Sequence, residues 1–258
     1  MRILIANDDG IQAAGIQTLA KALCDEHEVY IVAPDQERSA AGHALSLNVP
    51  IRVREVNIGI PVAKAFAISG TPADCIKLGV TSLLTEKPDL IISGINHGPN
   101  LGSDVLYSGT VSVAMEGAVL GYPSIALSLA DLYGDSYNFQ PTADYAKDFI
   151  KKIHHINFPK KTILNVNVPE GELKDMKGIC VAHLGTRMYT DAYEKRFDPR
   201  GKVYYWMAGE PIEKNDDPGS DISAVLNKKI SITPVTFEMT YQSIIPDLAL
   251  IFGAEACE

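Results

Sequence analysis

Five short apolar runs, each halted by polar, glycine or proline residues, constrain this 258-residue chain more than any other feature. They are Arg2–Asn7, Glu28–Ala33, Asp89–Gly94, Ser124–Ser128 and Thr162–Val168. A strand that is apolar throughout must be covered on both faces, which is the condition of a parallel sheet between two helical layers. Helical spacing fills the intervals. Ile16, Leu19, Ala20 and Leu23 form one apolar stripe, with Lys21, Asp25 and Glu26 left for the outer face. Thr71-Pro72-Ala73-Asp74 opens a second helix, with Thr71 as cap, Pro72 in the first turn and Asp74 favoured by the helix dipole. That helix would bury Ile76, Val80 and Leu83 and end before Pro88. Further helices are expected over about 110–120 and 143–153. Alternation of strand and helix predicts an α/β fold with a doubly wound, mostly parallel sheet.

Two shorter strands, Arg52–Val56 and Ala63–Ile68, are expected to pair through the turn containing Gly59. Beyond residue 169 the pattern loosens. Thr162–Val168 reads as the last core strand, and Gly178–His183, Val203–Ala208 and Lys229–Thr233 read as β-hairpin segments projecting from the core. Polar loops over 187–202 and 210–220 separate them. The chain is therefore read as one domain, 1–258, with a projecting hairpin and oligomerisation region at about 185–232 and a C-terminal arm at about 236–258. Tyr241–Phe252 is too apolar for a free tail and is expected to pack on its own core or on a neighbouring subunit.

The balance of 23 Lys+Arg against 32 Asp+Glu gives a net charge of −9, which opposes nonspecific binding to DNA or RNA. A small phosphorylated substrate stays open, because one bound cation reverses the local field. Cys24, Cys75, Cys180 and Cys257 lack paired zinc spacing and read as mostly core thiols of a reducing compartment, with a disulfide between two of them left open. The first apolar run meets Asp8 and Asp9 too soon for a secretory signal, and no segment reaches the ~18 apolar residues of a membrane span. A cytoplasmic location without membrane contact is expected.

Asp8 and Asp9 follow the first strand, at the sheet end where α/β proteins collect ligands. Adjacent like charges that lose hydration need an offset, and Mg²⁺ or Mn²⁺ is the simplest one. A solvated acidic turn or a helix cap is the other reading those residues allow. Three loops bear on the choice. Arg38-Ser39-Ala40-Ala41-Gly42-His43 offers Ser39 as a neutral oxygen ligand and small residues for close backbone approach. Ile95–Gly102 offers the side-chain carbonyl of Asn96. Tyr107-Ser108-Gly109-Thr110 precedes a helix whose N-terminus suits phosphate, although Ser108 and Thr110 also suit plain capping. His43 and His97 are either surface residues or groups within reach of a leaving oxygen. Oxygen ligands without a His/Cys cluster favour Mg²⁺ or Mn²⁺ over structural zinc.

Asn7–Gly10, Pro34–Ser39, Ser69–Cys75, Ser93–Asn96, Asn100–Val105, Tyr107–Val111, Asn165–Pro169 and Ser231–Pro234, in this order and spacing, resemble the SurE survival-protein family of nucleotidases over nearly the whole chain. The resemblance implies a Rossmann-like core and a metal-dependent phosphatase of nucleoside monophosphates, 5′ chiefly and often 3′. It implies one divalent ion per subunit on Asp8, Asp9, Ser39 and Asn96, and dimers or tetramers built by swapped elements. The chain departs from the family at Ala40 or Ala41, where glycine is frequent. The expected chemistry is direct displacement by metal-activated water. Asp8 and Asp9 are the catalytic pair, with Asp8 preferred as general base, and Asn96, Ser108, Gly109 and Thr110 hold phosphate. A receiver-like, Mg²⁺-binding signalling domain is the alternative, but Ile91–Asn96 lacks the aspartate that a receiver phosphorylates. A haloacid-dehalogenase-type phosphatase would need Asp-x-Asp rather than adjacent aspartates.

Overall fold

The computed structural model describes residues 1–132, 134, 137–153, 156, 158–190, 193–209, 211–212 and 217–255. Cys257 and the end of the expected C-terminal arm lie outside them. Strand β1 (Arg2–Ala6) shows why the fold has two helical layers. Its side chains alternate, so Ile3 and Ile5 meet Ile16, Leu19 and Leu23 of helix α1 (Ala14–Leu23) on one face. Leu4 and Ala6 pack with Ile76 and Val113 on the other. All of these side chains are fully buried, each isoleucine, leucine or valine contributing about 1.5–3 kcal/mol.

Strand β2 (Glu28–Pro34) lies parallel to β1, and the short pair β3 (Val53–Glu55) and β4 (Lys64–Ile68) is antiparallel with Val53 opposite Ile68. Helix α2 (Pro72–Leu78) starts at a full capping box: Thr71 Oγ1 accepts from Asp74 N, and Asp74 accepts from Thr71 N. It continues as a wider π-helical turn, Gly79–Leu83, rather than as one straight helix. Strand β5 (Leu90–His97), helix α3 (Gly109–Val119), strand β6 (Ser124–Ala130), helix α4 (Gln140–Ile153) and strand β7 (Thr162–Pro169) complete the βα alternation. Helices α1 and α4 cover one face, α2 and α3 the other.

The expectation that the sheet ends at β7 is corrected. Strand β8 (Ile179–Val181) and strand β11 (Ile230–Thr236) join the same sheet, giving the order β3-β4-β2-β1-β5-β6-β7-β11-β8. β11 pairs antiparallel with β7 and parallel with β8. The segment between β8 and β11 contains the hairpin β9 (Tyr193–Phe197) and β10 (Val203–Met207), then helix α5 (Asp221–Leu226). Among the described residues the projecting element is thus the β9–β10 hairpin, and α5 and β11 pack with the core. Alternate burial along β11 and the short length of α5 hid this in the sequence. Helix α6 (Ile245–Phe252) does not pack on its own core: Leu250 is 84% exposed and Phe252 77%. Among the described residues, no helix is long and apolar enough to cross a membrane.

Candidate active site

The chain turns outward to opposite sides of β1, toward β2 and toward β5, and ligands collect at such switch points. Asn7 builds the turn there. Its Nδ2 donates to Gly10 O at 3.0 Å and its Oδ1 accepts from Gly10 N at 3.2 Å, with Gly10 at φ 97°. The closed turn buries Asp8 and leaves Asp9 half-buried.

Helix α3 arrives against this turn. Thr110 is wholly buried and its hydroxyl donates to Asp8 Oδ1 at 2.5 Å. Burial pushes the Asp8 carboxyl up, and the hydrogen bond from Thr110 opposes the rise. Asp9 is pushed up to about 7, by burial first, then by the charges of Asp8 and Glu37. Among the described residues, no lysine, arginine or histidine side chain forms an ion pair with either carboxylate. Two adjacent carboxylates so placed repel each other and lack compensation, which a divalent ion would supply.

The neutral donors fit the same group. Pairing between β5 and β6 slips by one residue between Gly94 and Asn96. Asn96 Nδ2 is tied to His97 O and Gly98 O, at 3.3 and 2.9 Å, and Oδ1 receives no protein hydrogen bond among the described residues. Ser39 Oγ donates to Glu37 Oε1 at 2.7 Å, which keeps its lone pairs for a cation. Asp8, Asp9, Ser39, Asn96 and Ser108 line one cavity of about 780 Å³. An all-oxygen set with two carboxylates suits Mg²⁺ or Mn²⁺.

Ser108 caps α3, its Oγ accepting from Val111 N at 3.0 Å. Its hydroxyl proton reaches no protein acceptor among the described residues. Gly109 and Thr110 lie behind Asp8 rather than in the cavity lining, so the Thr110 hydroxyl serves Asp8, and the Ser108 hydroxyl and the backbone N–H at the start of α3 are left for an anion. His97 stacks on Tyr137 at 4.3 Å between ring centroids, with Nε2 3.6 Å from the buried Asp131. His43 lies outside the lining, on Glu116. Ala40 adopts φ 55°, the left-handed region that glycine occupies more readily.

Sequence reasoning missed the far wall. Asp104 accepts from Arg187 Nη1 at 3.0 Å and from the Tyr189 hydroxyl, and these three line the cavity with Leu106, Tyr107 and Met207. Asp221 ties that wall to the loop after β5, accepting from Gly102 N and Gly185 N, each at 2.9 Å. Asp104 stood within a motif, but Arg187 and Tyr189 sit in an aperiodic polar stretch whose partner is more than eighty residues away, and no local pattern signals such a contact. Glu37 was also missed, because one acid in a polar loop is unremarkable until its neighbours are known.

The family model described as Survival protein SurE matches residues 3–191. A 5′-nucleotidase SurE from Synechococcus sp. (strain JA-3-3Ab) is 52% identical over 243 residues, covering 93% of this chain and 93% of that protein. Another from Gloeobacter violaceus is 51% identical over 260 residues, covering 100% and 97%. The crystal structure of the SurE protein from Aquifex aeolicus superposes with a TM-score of 0.85 at 39% identity, covering 98% of this chain and 100% of that one. On both sequence and structure, the chain belongs to the SurE survival-protein family.

Proposed function

We propose that this protein is a metal-dependent phosphoric monoester hydrolase that converts nucleoside 5′-monophosphates, and also 3′-monophosphates, to nucleoside and phosphate. The observation that carries the reading is the uncompensated pair Asp8–Asp9 facing the N-terminus of α3 in one cavity. The relatives bearing the name 5′-nucleotidase support the substrate class.

Asp8, Asp9, Ser39 and Asn96 would hold the ion, which supplies Lewis-acid charge for phosphoryl oxygens and acidifies water. The Ser108 hydroxyl and the first N–H groups of α3 would hold the remaining phosphoryl oxygens, supplying the electrostatic stabilisation on which phosphoryl transfer depends. Thr110 orients Asp8. Asp9 is the more open carboxylate and, among the described residues, accepts from no side-chain donor, so it suits the role of proton acceptor better than Asp8. Leu106, Tyr107, Tyr189 and Met207 offer a flat nucleoside an apolar and aromatic wall. A receiver-like role has no support in β5, which ends in Asn96 and His97 rather than an aspartate.

The assembly we propose is a homodimer or a tetramer of two dimers. The hairpin exposes Trp206 and Met207 at 60% and 80%, and α6 exposes Ile251 at 73%; exchange of such elements between copies would bury them. Free Cys24, Cys75 and Cys180 suit a reducing cytoplasm, the compartment we assign.

A panel of nucleoside 5′- and 3′-monophosphates, assayed for phosphate release with and without Mg²⁺ or Mn²⁺, tests the reading. Metal-dependent release from 5′-monophosphates supports it. Failure to hydrolyse any nucleotide with either metal would overturn it.

A further inference from the structure

Glu116 lies in the middle of α3, about two turns beyond Thr110, with a side chain only 5% exposed. Two groups meet it: His43 Nε2 at 2.9 Å on one oxygen and Lys77 Nζ at 3.2 Å on the other. The hydrogen bond from His43 holds the Glu116 carboxyl below the usual carboxylate range, burial opposes this, and Lys77 adds to the lowering. Lys77 and Glu116 both stand on packed helices. His43 stands on the loop that also carries Ser39.

That loop has its ends fixed. Arg38 N donates to Asp8 O at 2.7 Å, Ala44 O accepts from Thr71 Oγ1 at 2.7 Å, and Ser46 N reaches the Asp74 carboxylate at 3.2 Å. Between Arg38 and Ala44, Ala40 and Gly42 both stand at φ 55°, a conformation with little intrinsic preference in alanine. Across that stretch, His43 makes the side-chain bond to a buried group, whereas Ser39, among the described residues, bonds only to Glu37 within the same loop.

We propose that His43 is a positioning residue: through Glu116 it fixes the loop in the conformation that presents Ser39 to the ion held by Asp8 and Asp9. The proposal rests on the metal site given above. A serine hydroxyl is a weak neutral ligand and contributes only if it is already in place, since ordering a loop at the moment of binding costs conformational entropy. Partners that orient ligands typically affect metal affinity about 10–100-fold when removed. His43 is 36% exposed, and its loss leaves the Lys77–Glu116 pair between the helices, so metal binding should suffer more than the fold.

The test is Mn²⁺ titration of the full chain, followed by electron paramagnetic resonance, with melting curves alongside. His43→Ala is expected to weaken Mn²⁺ binding about tenfold or more with a melting temperature near that of the parent. His43→Gln, whose amide can still donate to Glu116, should recover most of the affinity. Combining His43→Ala with Ser39→Ala should weaken binding little beyond Ser39→Ala alone, because both remove the same ligand. Should His43→Ala fail to fold, His43→Asn, too short to span the gap, is judged by the same criteria. Parent-like affinity in the His43 variant, or weakening that adds in full to that of Ser39→Ala, overturns the proposal. Asp9→Asn separates the two levels. If it loses Mn²⁺ while the His43 variant does not, only the positioning role falls; if it binds Mn²⁺ like the parent, the metal site and the proposal fall together.

Discussion

A Cβ on residue 109 would lie 2.6 Å from both the Cβ and the Oδ2 of Asp8, so helix α3 can start against this carboxylate only because residue 109 is glycine. Alanine normally improves a helix by about 1 kcal/mol over glycine. Here it must displace Asp8 or the helix. Gly109→Ala is therefore expected to lose nearly all turnover, by about 10²-fold or more if Asp8 is misplaced by an ångström. Steady-state phosphate release at saturating Mn²⁺ checks it, and parent-like turnover would mean that Asp8 has room to move.

Thr110 supplies the hydroxyl that donates to buried Asp8. Thr110→Val keeps the shape and deletes the donor, leaving a carboxylate oxygen unpaired at a cost of about 1–3 kcal/mol. We expect lower turnover and weaker Mn²⁺ binding together, with Thr110→Ser restoring both. A change in stability with unchanged kinetics would reduce Thr110 to a structural role.

Asp9 gives a pH dependence whose sign is fixed. Its carboxyl, at about 7 in the folded metal-free protein against 3.8 ordinarily, binds a proton more tightly folded than unfolded. Its contribution to stability is thus full below about pH 4 and is lost as pH rises through about 7. The melting temperature of the chelated protein should fall between pH 5 and pH 8 by several degrees, at roughly 2–4 °C per kcal/mol for a chain of this size. Asp9→Asn should flatten the fall, and added Mn²⁺ should stabilise most at the high-pH end. Thermal melts at several pH values, with and without Mn²⁺, measure all three.

The central sheet was legible because strands buried on both faces leave uninterrupted apolar runs, as Ile3–Ala6 and Leu90–Ile92 do. Thr71 and Asp74 were legible as a helix start because capping is local chemistry. The edge formed by β11 and β8 was not, since β8 is three residues long with Ile179 and Val181 exposed and β11 alternates like a hairpin strand. Asp8, Asp9, Ser39, Asn96 and Ser108 converge as the motifs suggested. Thr110 was expected at the phosphate and its hydroxyl is bonded to Asp8, a partner hidden in the sequence because a residue at a helix start looks the same whether it faces an anion or a buried carboxylate. Arg187, Tyr189 and Glu116 act through contacts made across the fold and leave no local trace.

The exposed apolar elements support the proposed assembly. Light scattering at micromolar concentration should give a dimer or tetramer for the full chain, and a smaller or unstable assembly for a chain ending at Pro246, which loses most of α6. A monodisperse full-length monomer would contradict the proposed exchange. An intact dimer after truncation would leave the β9–β10 hairpin as the contact.

Metal-dependent hydrolysis at Asp8 and Asp9 is tested most directly by one titration. The protein is stripped with chelator, supplied with a nucleoside 5′-monophosphate, and assayed for phosphate as Mn²⁺ is added, with Asp9→Asn measured in parallel. Release should be absent before metal, rise to saturation with it, and stay near background in the folded variant. Equal release without metal, or a folded Asp9→Asn that matches the parent at limiting Mn²⁺, would contradict the assignment of the site.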